Sequence, residues 1–195
     1  MQLCTLASGS SGNCLLISHG KTHISVDAGI SARRISCGLD RLGLAPEQLS
    51  AVLITHEHSD HIGGLAVLVK RRRIPVWASE GTGEYLAREV PAIGDVLHTF
   101  PAGGRFSVDD MEISSFQTPH DAAESVGFVV RGGEKRIAVA TDLGSVPERV
   151  RSAVCGADLL VLESNHDVDR LKTGSYPYFL KKRILGDRGH LCNEE

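Results

Sequence analysis

The sequence predicts an α/β (α+β) domain layered as an αββα sandwich, two facing sheets with helices outside. Three observations carry that reading. Twenty-one glycines punctuate several β-branched runs, so the chain is cut into many short elements. Two blocks of antiparallel hairpins recur, each followed by helical patterns. A length of 195 residues, 42% hydrophobic and 23% charged with net charge −3, supplies the core of one domain, residues 1–195, and falls short of two. Composition alone does not choose this layering over other α+β layouts; the order of the elements points to it. The same composition excludes disordered and fibrous chains.

The elements follow in order. Gln2 to Leu6, Asn13 to Ser18 and Lys21 to Val26 read as antiparallel strands, with His19-Gly20 as the tight turn between the second and third. After Asp27-Ala28-Gly29, Ser31 to Leu42 places Ile35, Leu39 and Leu42 on one helical face behind Ser31 as N-cap. Ala51 to Thr55 is a buried-type strand that runs into a histidine-rich loop, and Gly64 to Arg73 is the next helix. Pro75 to Ala78 reads as strand and Gly83 to Val90 as helix. Leu97 to Phe100, Arg105 to Val108 and Met111 to Gln117 are short strands, the last two joined at Asp109-Asp110. Ser125 to Arg131 and Lys135 to Ala140 form a hairpin around Gly132-Gly133. Pro147 to Val154 is a helix, Asp158 to Glu163 a strand, and Tyr176 to Leu185 the last helix.

Several function classes fall away. The longest clean apolar run is Leu65 to Val69, far below the roughly 20 residues that cross a bilayer, so no membrane role is expected. Met1 to Leu6 lacks the basic start and apolar stretch of a secretory signal, which makes a cytoplasmic location the default. Cys4, Cys14, Cys37, Cys155 and Cys192 are an odd number without CxxC spacing, and predict reduced, mostly buried thiols. The clusters Lys70-Arg71-Arg72-Arg73 and Lys181-Lys182-Arg183 read as solvated helix faces, with a nucleic-acid backbone as their functional alternative.

His56-Glu57-His58-Ser59-Asp60-His61 is the strongest signal, three imidazoles and a metal-suited carboxylate placed directly after a rigid strand. Imidazole suits zinc, and carboxylate supports harder ions such as manganese. Four ligands on one short loop do not wrap a single ion comfortably, so two divalent ions, zinc or manganese, are the natural reading. Further donors sit at strand ends. His120 follows Ile113 to Gln117, and Asp142 follows Ile137 to Ala140, where its two oxygens can bridge two cations. Taken singly, a histidine or aspartate at a strand end is more often a hydrogen-bonded turn residue; the coincidence of these two with the His56 loop reverses that and points to metal.

These motifs resemble those of the metallo-β-lactamase-fold hydrolases over essentially the whole chain. The resemblance implies that His56, His58 and His120 hold one ion and that Asp60, His61 and Asp142 hold the other. It also implies that Asp27, in Val26-Asp27-Ala28-Gly29, supports the histidine loop from behind. An aspartate at position 142, where lactam-cleaving members have cysteine, favours the phosphodiesterase side of the family. Within it, the chain is most similar to the YycJ/WalJ-type branch, described as metal-dependent DNA exonucleases. That likeness rests on Leu6-Ala7-Ser8-Gly9-Ser10-Ser11-Gly12-Asn13, Thr55 to His61, His120-Asp121-Ala122-Ala123-Glu124, Glu163-Ser164-Asn165-His166-Asp167 and Gly189-His190-Leu191-Cys192-Asn193-Glu194.

The chemistry so implied is phosphodiester hydrolysis by hydroxide shared between two ions, with DNA as substrate. Asp60 would orient the hydroxide. His190 would protonate the leaving oxygen, since Gly189-His190 is similar to the Gly-His-Ser-Thr motif of transfer-RNA 3′-processing nucleases; a capping or supporting role is its alternative. Asn165 and His166 follow the strand ending at Glu163 and are candidates for phosphate contact, or for a turn held by Asn165 and Asp167. Ser10 lies in a Ser/Gly loop able to approach phosphate, although a simple inter-strand turn explains that loop too, and it lacks the P-loop lysine. The alternatives are a small-molecule hydrolase acting on a cyclic phosphodiester, thioester or lactam, and a non-catalytic metal-binding module. The oligomeric state stays open. No histidine follows His190, and Asn193-Glu194-Glu195 reads as a helix start, so the sequence is expected to lack a final helix, closing strands and one last ligand of the second ion, which would weaken that site.

Overall fold

A computed structural model describes residues 1–70 and 72–194. Arg71, inside the expected Gly64 to Arg73 helix and its basic cluster, and Glu195, at the expected terminal helix start, lie outside them.

The first sheet takes β1 (Gln2–Ala7), β2 (Cys14–His19), β3 (Thr22–Val26), β4 (Ala51–Leu53), β5 (Val76–Ser79) and β6 (Leu97–Phe100) in that spatial order. The second takes β7 (Arg105–Val108), β8 (Met111–Gln117), β9 (Val126–Gly132), β10 (Lys135–Ala140) and β11 (Leu159–Leu162), ordered β11-β10-β9-β8-β7. The helices are α1 (Ala32–Asp40), α2 (Ser59–Ile62), α3 (Leu65–Lys70), α4 (Glu80–Glu89), α5 (Glu148–Val154), α6 (Val168–Thr173) and α7 (Tyr178–Ile184).

Three apolar clusters separate the four layers. Between the sheets, Leu15, Ile17, Ile24, Val26 and Leu53 meet Met111, Ile113, Phe128, Val130 and Val139. On the outer face of the first sheet, Cys14, Leu16, Val52 and Val76 pack under Ile35 and Leu39 of α1, Leu65 and Leu68 of α3 and Leu86 of α4. Against the second sheet, Val150 of α5 covers Phe116, Val129, Ala138 and Ala140. Successive residues of β2 therefore bury on opposite faces, which is why that strand reads as an unbroken apolar run. Trp77 stacks on Phe106 at 4.3 Å between ring centroids and joins the sheets near one edge.

Both expected antiparallel blocks form, β1–β3 and β7–β10, and parallel pairing extends each into its sheet. β3 to β6 pair in parallel, and so do β10 and β11. The connections through α1, α3, α4 and α5 return the chain to the same end, and a crossover of that kind makes neighbours parallel. Ser31 caps α1 as expected, its Oγ accepting from the Arg34 N–H at 3.3 Å. The helix stops at Asp40, so Leu42 falls off its buried face and is 45% exposed. Two short helices, α2 and α6, were absent from the sequence reading.

The cysteine expectation is half corrected. Cys4, Cys14, Cys37 and Cys155 are free thiols, but among the five cysteines only Cys14 is buried, with its thiol pushed up to about 11 chiefly by burial; Cys37 and Cys155 are exposed. Alternation on β2 holds Cys14 inside, whereas the solvent face of α1 and the end of α5 hold the other two out. Arg72 and Arg73 lie beyond the end of α3 rather than on a helix face: Arg72, 21% exposed, meets Glu47 at 2.7 Å, and exposed Arg73 lies 3.7 Å from Asp95. No helix among the described residues is long and apolar enough to cross a membrane.

Candidate metal centre

Polar residues collect where strands of both sheets end together. Asp27 follows β3, Thr55 and His56 follow β4, His120 follows β8, Asp142 follows β10 and Glu163 follows β11. Two of these, Asp27 (φ 61°) and Asp142 (φ 55°), adopt the left-handed backbone that costs most residues free energy and that aspartate tolerates better than others. Gly29 lets the loops close: a Cβ there would overlap the Asp60 carbonyl, whose oxygen accepts from the Asn13 N–H at 2.7 Å.

Three overlapping sets of donor atoms come within 4.8 Å of one another: His56, His58 and His120; His56, His61 and Asp142; and His120, Asp142 and His190. In the first, His56 Nε2 lies 3.0 Å from His58 Nδ1, which lies 3.2 Å from His120 Nε2. Two ligands on a tetrahedral zinc, each at about 2.0–2.1 Å, stand roughly 3.3 Å apart, so the imidazoles fit a common ion. The His120 Nδ1–H donates to the Gly189 carbonyl at 3.1 Å, and the Thr55 hydroxyl donates to Asp27, so the His56 Nδ1 3.0 Å away donates to Thr55 Oγ1; both Nε2 lone pairs are then aimed inward. Burial, reinforced by the neighbouring rings, holds His56 well below the usual histidine range; burial also lowers His120. Both rings are neutral near pH 7.

The second set is built on charge. His61 is buried, with Nδ1 2.8 Å from Asp27 Oδ2 and Nε2 3.0 Å from Asp142 Oδ2 and 3.5 Å from Asp60 Oδ2. Burial alone would depress His61, but the three carboxylates outweigh it and push it up to about 12. Asp142 is in turn held below the ordinary carboxyl range, its own burial overcome by His61. Thr55 braces Asp27, donating its backbone N–H to Oδ1 at 2.9 Å.

His190 sits beside both sets, its ring 5.1 Å from that of His120 between centroids and its Nδ1 3.5 Å from Asp142 Oδ1. Glu163 holds the same nitrogen at 2.6 Å and also accepts from the Leu143 N–H at 2.8 Å. Burial opposes protonation of His190, yet Glu163 and Asp142 raise it overall.

The remaining sequence candidates lie further out. Ser10 is exposed in the β1–β2 loop. Asn165 is exposed and His166 half-buried; their backbones join the segment after His190, with Asn165 N–H donating to the Leu191 carbonyl at 3.1 Å and Asn193 N–H to the His166 carbonyl at 2.9 Å. Asp167 caps α6. Asn193 and Glu194 form a turn, with no helix among the described residues there.

Sequence reasoning assigned no role to Asn13 or Glu163. The Asn13 amide lies 3.3 Å from Asp60 Oδ2 and 3.1 Å from His61 Nε2, and Glu163 is the partner of His190. Both fall inside motif stretches already quoted, the only sequence signal they carry.

The β-lactamase superfamily domain matches residues 22–194. The chain belongs to that superfamily. With membership come the metallo-β-lactamase fold and hydrolase chemistry. The chain is 39% identical to exodeoxyribonuclease YycJ of Bacillus anthracis, over all of this chain and 74% of the relative. It is 40% identical to exodeoxyribonuclease WalJ of Streptococcus pneumoniae, over 97% of this chain and 72% of the relative. Among solved structures, zinc-bound PqqB from Methylobacterium extorquens superposes with a TM-score of 0.77 at 19% identity, covering 98% of this chain and 81% of that one; that likeness concerns the fold.

Proposed function

We propose that the chain hydrolyses phosphodiester bonds at DNA ends, with one divalent ion, zinc or manganese, held by His56, His58 and His120 and a second by Asp60, His61 and Asp142. The observation that carries this reading is Asp142, a carboxylate 3.0 Å from His61 Nε2 beside three converging imidazoles. An imidazole–carboxylate donor set suits zinc and manganese, and lacks the thiolate of a lactam-cleaving site. The names of the relatives support DNA as substrate. Divalent ions held there supply Lewis acidity and an acidified water.

The chain's own residues do the rest. Asp60, half-buried at the rim, accepts a hydrogen bond from the attacking water and fixes its orientation. Asp27 takes His61 Nδ1–H and so turns Nε2 towards the centre. His190, whose protonated form Glu163 favours, delivers a proton to the leaving oxygen. Ser10, Asn165 and His166 contact the phosphate backbone around the cleaved bond. A cytoplasmic location accords with the free thiols of Cys4, Cys14, Cys37 and Cys155.

End-labelled single-stranded and duplex DNA, incubated with the purified protein and manganese or zinc, test the reading. Mononucleotide release is the expected result, with two ions per chain by elemental analysis. Hydrolysis of a cyclic nucleotide but not of DNA would replace the substrate. Turnover of nitrocefin or a glutathione thioester without phosphodiester cleavage would replace the reaction. One ion or none, with no turnover of any substrate, would leave a binding module.

A further inference from the structure

Three aromatic rings stand in solvent on α7 and the turn before it. Of nine Phe, Trp and Tyr residues, Trp77, Tyr85, Phe100, Phe106, Phe116 and Phe128 are buried or half-buried, while Tyr176, Tyr178 and Phe179 are 56%, 81% and 74% exposed. All three belong to α7 or the turn before it, and α7 buries none of its residues. An apolar cluster left open on a folded domain marks a surface that something covers.

The charge around these rings says what covers them. Residues 170–190 carry six Lys and Arg against one acid, Asp187, in a chain whose net charge is −3. Lys181 is committed to the carbonyls of Lys172 and Gly174, and Arg183 to Asp121, leaving exposed Lys182 beside the rings. Exposed π faces interleaved with cations match an unpaired nucleic-acid strand, whose bases stack and whose phosphates are anionic. A second copy of this basic face would instead bring like charges together.

The platform also connects to the centre. Arg183 donates to Asp121 Oδ2, and Asp121 Oδ1 lies 3.5 Å from His120 Nε2. The His190 N–H donates to the Ile184 carbonyl at 2.9 Å, so the last turn of α7 leads into the residue beside the two donor sets. Tyr178 precedes Arg183 by five residues, about 7.5 Å along a helix axis, or roughly two stacked nucleotides at about 3.4 Å each.

We propose that Tyr178 and Phe179, flanked by Tyr176, form a stacking platform for unpaired bases of a DNA strand whose terminal phosphodiester enters the centre, with Lys182 contacting the backbone. This rests on the DNA-hydrolase reading, so binding is measured apart from cleavage. Fluorescence anisotropy in EDTA compares labelled oligo(dT) with a blunt duplex of equal length. Wild type is expected to favour oligo(dT). The double variant Y178A/F179A, altering only exposed side chains, should lose at least about tenfold in oligo(dT) affinity and leave duplex affinity unchanged. K182A should lower the salt slope by about 0.7 without changing the preference, and V67A, on exposed α3 surface, should change nothing. Wild-type affinity for oligo(dT) in Y178A/F179A, no binding by wild type, or a wild-type preference for duplex overturns the platform. Sedimentation showing a dimer that Y178A/F179A dissolves, with DNA binding intact, makes the face a self-association surface instead. Oligonucleotide binding through the rings by a metal-loaded protein that cleaves no DNA overturns hydrolysis and leaves the platform standing.

Discussion

The two halves of the candidate centre sit a few ångströms apart and prepare for a cation in opposite ways. The His56, His58 and His120 half is built from rings alone, and burial has already stripped His56 and His120 of their protons. The His61 and Asp142 half is built from carboxylates around one imidazole, which therefore keeps a proton when no metal is bound. In the first, burial removes the competitor; in the second, the negative charge that would attract an ion holds a proton in its place. A metal entering the first half finds lone pairs, whereas one entering the second displaces a proton from His61 Nε2.

Removing the charge from the second half should have the largest effect. Asp142→Ala deletes the oxygen donor while leaving the imidazole trio, so elemental analysis should find one ion in place of two. Activity in a DNA-end digestion assay should fall on the order of a thousandfold, because Lewis-acid stabilisation contributes several kcal/mol. Loss of both ions would show that the halves are not separable.

The pH dependence follows next. His61 is raised from an ordinary value of 6.5 to about 12, so its contribution to the stability of the metal-free protein is fully present below about pH 6.5 and declines as pH rises towards 12. Ion binding reverses that preference, since the proton must leave. Between pH 6.5 and 9, the affinity of the second ion should weaken about tenfold per unit of acidification, while the first stays nearly constant above pH 7. Calorimetry in buffers of different ionisation enthalpy should register about one proton released with the second ion and none with the first. Equal release by both would remove the contrast.

Asp27→Asn should have a smaller effect confined to the second half. Asparagine tolerates the left-handed φ of 61° at this position, so the fold should survive. The amide has one acceptor oxygen for the two donors that the carboxylate serves, His61 Nδ1–H and the Thr55 N–H, and loses the charge behind the ring, so the affinity of the second ion should fall roughly 10- to 100-fold by competition with a chelating dye.

The same contrast explains how much the sequence revealed. His56 to His61 was legible because its donors crowd into six residues after an apolar strand. The layering was legible in the order of the elements, two blocks of antiparallel hairpins each followed by helical patterns. Parallel pairing of β3 to β6 was not, because pairing partners are chosen by the crossovers rather than by the strands. A four-residue helix such as α2 has no room for a periodic stripe, and α6 is only six residues long. Asn13 and Glu163 escaped for a third reason. Asn13 meets Asp60 from 47 positions away, and Glu163 meets His190 from 27, so neither contact leaves a local pattern.

Asn13 gives the finest test because, of the two halves, its side chain touches only the charged one, while its Oδ1 accepts from the Gly9 N–H of its own loop at 2.9 Å. Its amide reaches Asp60 and His61, yet its backbone is anchored independently: Asn13 N–H donates to the Asp60 carbonyl and its own carbonyl accepts from Gly29 at 2.8 Å. Asn13→Ala should preserve those main-chain bonds and remove one neutral hydrogen-bonding group, worth about 0.5–1.5 kcal/mol. The second ion should bind roughly 2- to 10-fold more weakly and the first as before. Equal weakening of both ions would mean that Asn13 holds the β1–β2 loop against the whole centre. Weakening of the second alone would show that the carboxylate half depends on the loop that carries Ser10, tying a candidate phosphate contact to occupancy of one ion rather than two.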